Sequence, residues 1–78
     1  MPNPDEQKVI DELFTYHAPT SEHIARLQNV RVVARALATA IVENCPRSAD
    51  RTAALRKLRG SVMTANASIV LPQMPPVL

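Results

Sequence analysis

A phenol and an imidazole stand side by side in Phe14-Thr15-Tyr16-His17-Ala18-Pro19, just ahead of a proline that stiffens the chain. The sequence is only 3% aromatic, so Phe14 and Tyr16 are not two rings among many filling a core. A ring face, a hydroxyl and an imidazole at a rigid corner suit a planar, polar ligand such as a nucleobase. Phe14 itself reads as a plug for the joint at this corner. Further along, Arg26, Arg31, Arg35 and Arg59 carry guanidinium groups that can grip phosphate in a bidentate way. Asn66 adds an amide that can read a base edge or a ribose hydroxyl. Asparagine is a poor helix former, so its place in a helical stretch calls for a reason.

The same residues give catalysis little to work with. The basic part of the chain has no paired carboxylates, no Ser-His-Asp logic and no Gly-rich phosphate loop, since Gly60 is the only glycine. His17 and His23 lack two further ligands at zinc spacing, and Cys45, alone, makes no intrachain disulfide. The pattern reads as binding without chemistry, with no catalytic residue, no metal and no cofactor. Met1-Pro2-Asn3-Pro4-Asp5 carries neither the basic nor the apolar region of a signal peptide. No apolar run approaches the ~20 residues of a membrane span. The single unpaired thiol fits a reducing cytosol.

The elements that must position these groups are helical, and residues 1–78 read as one all-α domain. Asn3, Pro4 and Glu6 form a capping-box start for helix 1, about 4–15, whose apolar stripe is Val9, Ile10, Leu13 and Phe14. Pro19 disfavours helical dihedrals at the residue before it, so that helix stops before Ala18. Thr20 or Ser21 caps helix 2, about 21–44, and Pro46 ends it. Ser48 and Asp50 start helix 3, about 48–69, and a Pro-rich tail occupies 71–78. Leu27, Val30, Ala34, Leu37 and Ile41 repeat at 3-4-3-4 spacing, flanked by Val33 and Ala40. Leu55, Leu58, Val62, Ala65 and Ile69 repeat in the same way. Two such seams joined by a short proline-containing turn predict a long antiparallel hairpin behind a short N-terminal helix.

A turn centred near Pro46–Arg47 sets the register, so that residues whose numbers sum to about 93 face each other. Tyr16, His17, Arg26 and Asn66 then collect at the open end, and Arg31, Arg35 and Arg59 along the shaft. His23 falls on the seam line as a hydrogen-bonded packing residue. Gly60, mid-helix at a cost of about 1 kcal/mol against alanine, points to a close backbone approach. A second stripe, Ile24, Ala38 and Val42, cannot be buried by the hairpin itself. It must meet helix 1, another subunit or the tail.

The formal net charge of +2 conceals an asymmetry. Residues 1–22 carry Asp5, Glu6, Asp11, Glu12 and Glu22 against Lys8, a balance of −4, whereas residues 23–78 carry +6. The hairpin is an anion-attracting surface with an acidic helix ahead of it, and the two halves are also suited to dock on each other within or between subunits. A chain this short buries a thin core and has neither disulfide nor metal to staple it, which favours self-association.

Ile10-Asp11, Phe14-Thr15-Tyr16-His17-Ala18-Pro19, Arg26, Val30-Arg31, an alanine-rich helix, Pro46 with Ser48, and Thr64-Ala65-Asn66-Ala67-Ser68-Ile69 follow one another in a recurring order. Over residues 8–70 the chain resembles the helical-hairpin domain of phage anti-CBASS and anti-Thoeris sponges. The resemblance implies a compact hexamer in the host bacterial cytoplasm. That assembly would sequester cyclic di- or trinucleotide messengers of bacterial immunity, or cyclic ADP-ribose isomers, between protomers without cleaving them. It carries Tyr16, His17 and Asn66 over as ligand contacts, with Arg26 and Arg31 beside them. The length of the chain matches the anti-CBASS architecture. Leu27-Gln28 stands where those relatives have a Lys-Thr pair, so the resemblance leaves the choice of ligand open.

Two other classes remain alongside. A basic nucleic-acid binder is favoured by the +6 segment, although neither long helix has a recognition-helix pattern. A small oligomerisation or protein-interaction module is favoured by the unburied Ile24–Val42 stripe.

Overall fold

A computed structural model describes residues 1–71 and contains three helices, α1 (Pro4–Phe14), α2 (Ser21–Asn44) and α3 (Ala49–Val70). Among those residues there is no strand. The expected Pro-rich tail lies, from residue 72 onward, outside the described residues.

Each helix begins where its side chains can satisfy the free amides of a first turn. Asn3 accepts from the Glu6 amide at 2.8 Å, and Glu6 accepts from the Asn3 amide at 3.0 Å. Thr20 and His23 make the same reciprocal box, with an imidazole in place of the usual carboxylate. The Thr20 hydroxyl accepts from the His23 amide at 3.1 Å, and His23 Nδ1 accepts from the Thr20 amide at 3.2 Å. His23 is thus a capping residue, half-buried at the start of α2 rather than packed inside the seam. Ser48 caps α3 from just outside it, accepting from the Arg51 amide at 3.1 Å.

The hairpin turn lies where Pro46 requires it, and Arg51 closes it. Its guanidinium donates to the carbonyl oxygens of Val42, at 3.4 Å, and Cys45, at 3.2 Å. One arginine of α3 thereby serves the last turn of α2, whose carbonyls have no helical partner.

Burial along the hairpin departs from the expected seam at one place. Leu27, Val30, Ala34 and Ile41 are half-buried as anticipated, but Ala38 replaces Leu37, which is 50% exposed. Each residue advances about 100° around a helix, so Leu27 and Ala38, eleven apart, come within about 20° of each other, while Leu37 falls about 80° away. The stripe assigned to Ile24, Ala38 and Val42 dissolves accordingly: Ala38 joins the seam, and Ile24 and Val42 remain exposed. On α3 the expected seam of Leu55, Leu58, Val62, Ala65 and Ile69 is half-buried throughout. Gly60 does not mark a close approach. A Cβ built there would meet nothing within 4 Å, and the residue faces solvent.

The single chain is extended. Its radius of gyration is 16.5 Å, against about 11–12 Å for a compact domain of this length. No Cα of α1 comes within 8 Å of α2 or α3. Val9 is the one buried residue among those described, and no side chain is fully buried. The chain exposes 6429 Å², roughly 1,700 Å² more than the ~4,700 Å² usual for a monomer of its mass.

Candidate functional site

At the α1–α2 corner, capping chemistry uses part of what the sequence offered to a ligand. Thr15 donates its hydroxyl hydrogen to the Asp11 carbonyl at 2.5 Å, and His17 Nε2 lies 2.7 Å from the Glu12 carbonyl oxygen. A carbonyl only accepts, so Nε2 is the ring nitrogen that donates in this contact. The Glu12 carboxylate, 3.6 Å from the same nitrogen, favours that arrangement. These two side chains end α1 at Phe14, ahead of the stop that Pro19 alone would impose. Phe14 does not plug the joint, being 85% exposed. Tyr16, two residues on, is 84% exposed and makes no hydrogen bond among the described residues. Arg26 pairs with Glu22 one turn back along α2.

The hairpin is a flat, two-helix blade, and its two faces differ in chemistry. On one face Arg31 and Arg35 of α2 and Arg59 of α3 surround a shallow groove floored by Ala34, Ala38, Leu55, Leu58, Val62 and Met63. None of the three arginines has an ion pair or hydrogen bond from its side chain among the described residues. Three unpaired guanidinium groups around an apolar floor have the chemistry to hold an anion with an apolar or aromatic body. The opposite face is lined by Asn29, Val30, Val33, Ala34 and Leu37 of α2 and by Leu58, Ser61, Val62 and Ala65 of α3. None of these lining residues is charged.

Asn66 stands out energetically. Its Oδ1 is buried and has no hydrogen-bond partner. Leaving a buried acceptor unpaired costs about 1–3 kcal/mol, which a donor from a ligand or a neighbouring chain would relieve. Helical arithmetic puts Asn66 on the same side of α3 as Arg59 and Met63, about 10 Å along the axis from Arg59. Arg26, by the same arithmetic, continues the line of Asn29 and Val33 on the other side of α2.

The structure therefore brings Arg31, Arg35 and Arg59 together as the register predicted, and the facing pairs that line both grooves bear out that register. No hydrogen bond joins any two of Tyr16, His17, Arg26 and Asn66 among the described residues. Sequence reasoning passed over Met63, which is exposed on the arginine face. Its position four residues after Arg59 was the available signal. Arg51, which the sequence analysis did not single out, owes its role to a contact across the turn that local spacing does not encode.

Among the described residues, no group of three His, Cys, Asp or Glu side chains is placed to hold a metal, and no helix is long and apolar enough to cross a membrane. A family model, that of the Acb2/Tad1 hairpin domain, matches residues 6–70. No curated protein and no solved structure gives a significant match.

Proposed function

Since the chain belongs to the Acb2/Tad1 hairpin-domain family, we propose that it is a phage-encoded sponge for cyclic oligonucleotide second messengers, acting in the host cytoplasm as a self-associated assembly, a hexamer in the fullest form of this reading. The family is one of cyclic-nucleotide sponges, and binding rather than turnover is its role. The observation that carries the reading to this chain is the set of unpaired arginines, Arg31, Arg35 and Arg59, around an apolar floor. A cyclic oligonucleotide has the complementary chemistry: phosphates for the guanidiniums and base faces for Met63 and the alanine floor. Asn66, with its unsatisfied Oδ1, accepts from an exocyclic amine or a ribose hydroxyl on the same side. Tyr16 and His17 form a second, aromatic contact at the corner, with Arg26 near the start of α2, the helix that follows. Because that corner is so exposed in one chain, a second protomer is needed to enclose a ligand there.

Isothermal calorimetry against cyclic dinucleotides, cyclic trinucleotides and cyclic ADP-ribose isomers tests the proposal. The expected result is tight binding of at least one ligand, with the ligand recovered intact after the protein is denatured. Tyr16→Ala should weaken a ligand held at the corner, and Arg31→Ala or Arg59→Ala one held on the shaft. Absence of heat and of thermal stabilisation across the whole panel would sink the reading.

A further inference from the structure

We propose that the Phe14–Tyr16 corner is a docking face for a proline-rich segment of the same chain, Pro72-Gln73-Met74-Pro75-Pro76-Val77-Leu78, which lies outside the described residues. Phe14 and Tyr16 are the only aromatic side chains in the sequence, and they stand two residues apart at 85% and 84% exposure. Covering even one face of each ring is favourable, and neither ring is covered by α1 or by the hairpin. The docking belongs to the ligand-free protein and does not depend on what binds at the corner.

Three observations select this occupant. The first is chemical. Proline-rich segments dock against aromatic rings because their polyproline II form is set in advance and loses little freedom on binding. Pro72-Gln73-Met74-Pro75 is the Pro-x-x-Pro pattern that such aromatic surfaces take. Polyproline II repeats every three residues, so Pro72, Pro75 and Leu78 share one edge, and Met74 and Val77 share another. Both edges are apolar, and none of the seven residues is charged, so Asp11 and Glu12 beside the corner do not repel the segment. The second observation is direction. Leu71, which caps the end of α3, has φ −82° and ψ 144°. Those are polyproline II dihedrals, so the chain leaves the helix already in the conformation that the prolines continue. The third is reach. The hairpin register sets Leu71 across from Glu22, and packed helices lie about 8–10 Å apart. Tyr16 stands only a few residues ahead of Ser21, where α2 begins. Seven residues of polyproline II span about 22 Å, which brings Pro72 and Pro75 alongside the rings.

The chain has one tyrosine and no tryptophan, so its intrinsic emission reports Tyr16 alone. Acrylamide quenching of that emission, measured without ligand, tests the docking. With one face of the ring covered, quenching is expected to be roughly twofold weaker in the full chain than in a chain stopped after Leu71. Pro72→Ser/Pro75→Ser/Pro76→Ser, which keeps the length, should quench like the shortened chain. Phe14→Ala should raise quenching in the full chain and add nothing in the shortened one, because both changes act through one contact. Equal quenching with and without residues 72–78, or additive effects of Phe14→Ala and shortening, overturns the inference. Nuclear Overhauser contacts between the Tyr16 ring and Pro72 or Pro75 are expected in the unaltered protein, and their absence overturns it whatever the variants do. Contacts found only between differently labelled copies assign the segment to a neighbour and overturn docking within one chain. A ligand panel that gives no binding sinks the sponge reading and leaves this docking standing. Tyr16 quenching insensitive to residues 72–78 does the reverse.

Discussion

The two faces of the hairpin share one floor and differ at their rims. Ala34, Leu58 and Val62 line both grooves, yet one is bordered by Arg31, Arg35 and Arg59 and the other by Asn29, Val33, Leu37 and Ser61. A few positions, each one or two steps around the same helices, separate a groove rimmed by guanidinium groups from one rimmed by uncharged side chains. A thin two-helix blade thus leaves two chemically different surfaces uncovered, because its seam is too narrow to bury either side. Among the described residues no side chain is fully buried, and both faces of the hairpin stay accessible.

The strongest way to break the comparison is to remove what the faces share. Leu58→Asp puts a charge into the floor of both grooves, and a loss on the order of 3 kcal/mol or more is expected, with collapse of the cooperative melt. Ligand binding and self-association should vanish together in calorimetry and light scattering. Survival of either one would mean that the faces do not depend on a common seam.

Replacing Arg31, Arg35 and Arg59 together by alanine should act on one face alone. Charged hydrogen bonds contribute about 1.5–3 kcal/mol each, so an anionic ligand on the shaft should weaken by tenfold or more per arginine. Mass and melting temperature should stay near those of the parent protein. A fall in mass would show that the arginines also bridge subunits.

Arg51→Ala should lower stability without favouring either face. Losing two hydrogen bonds to the carbonyls that end α2 is expected to cost about 1–2 kcal/mol, which for a domain of this size is a drop in melting temperature of roughly 4–16 °C. Unequal effects on binding and mass would reveal that the turn sets the tilt of one helix against the other.

Gly60→Ala should give the smallest change, and a favourable one. With open space around the position, alanine should stabilise α3 by about 0.5–1 kcal/mol and raise the thermal midpoint by a few degrees. No change in either face's activity is expected. A destabilised variant would mean that another chain approaches the backbone there.

Much of the corner and the shaft was legible in the amino-acid order, for reasons that differ by residue. Asn3, Thr20, Ser48 and Pro46 act within one helical turn of themselves, so their effects follow from local rules. The register that joins Arg31 and Arg35 to Arg59 followed from the place of the turn, because an antiparallel hairpin has a single free offset. Phe14 was misjudged because an aromatic at a helix end looks the same in sequence whether its own chain covers it or not. His17 stood out by its type, but the contact of its Nε2 with the Glu12 carbonyl five residues back is visible only in the folded corner. Asn66 drew attention by its type, but its unpaired Oδ1 is visible only with the surroundings in place.

The sequence by itself determined three helices, their caps, the turn and the antiparallel register, since each depends on groups a few residues apart or on chain continuity. Only the tertiary structure decided which side of each helix was left uncovered. The 3.6-residue period of α2 carries Ala38 into the seam and turns Leu37 outward, a rotation of about 100° between neighbours that a 3-4-3-4 count does not resolve. That rotation puts an apolar ridge on one face of the blade and leaves the arginines on the other.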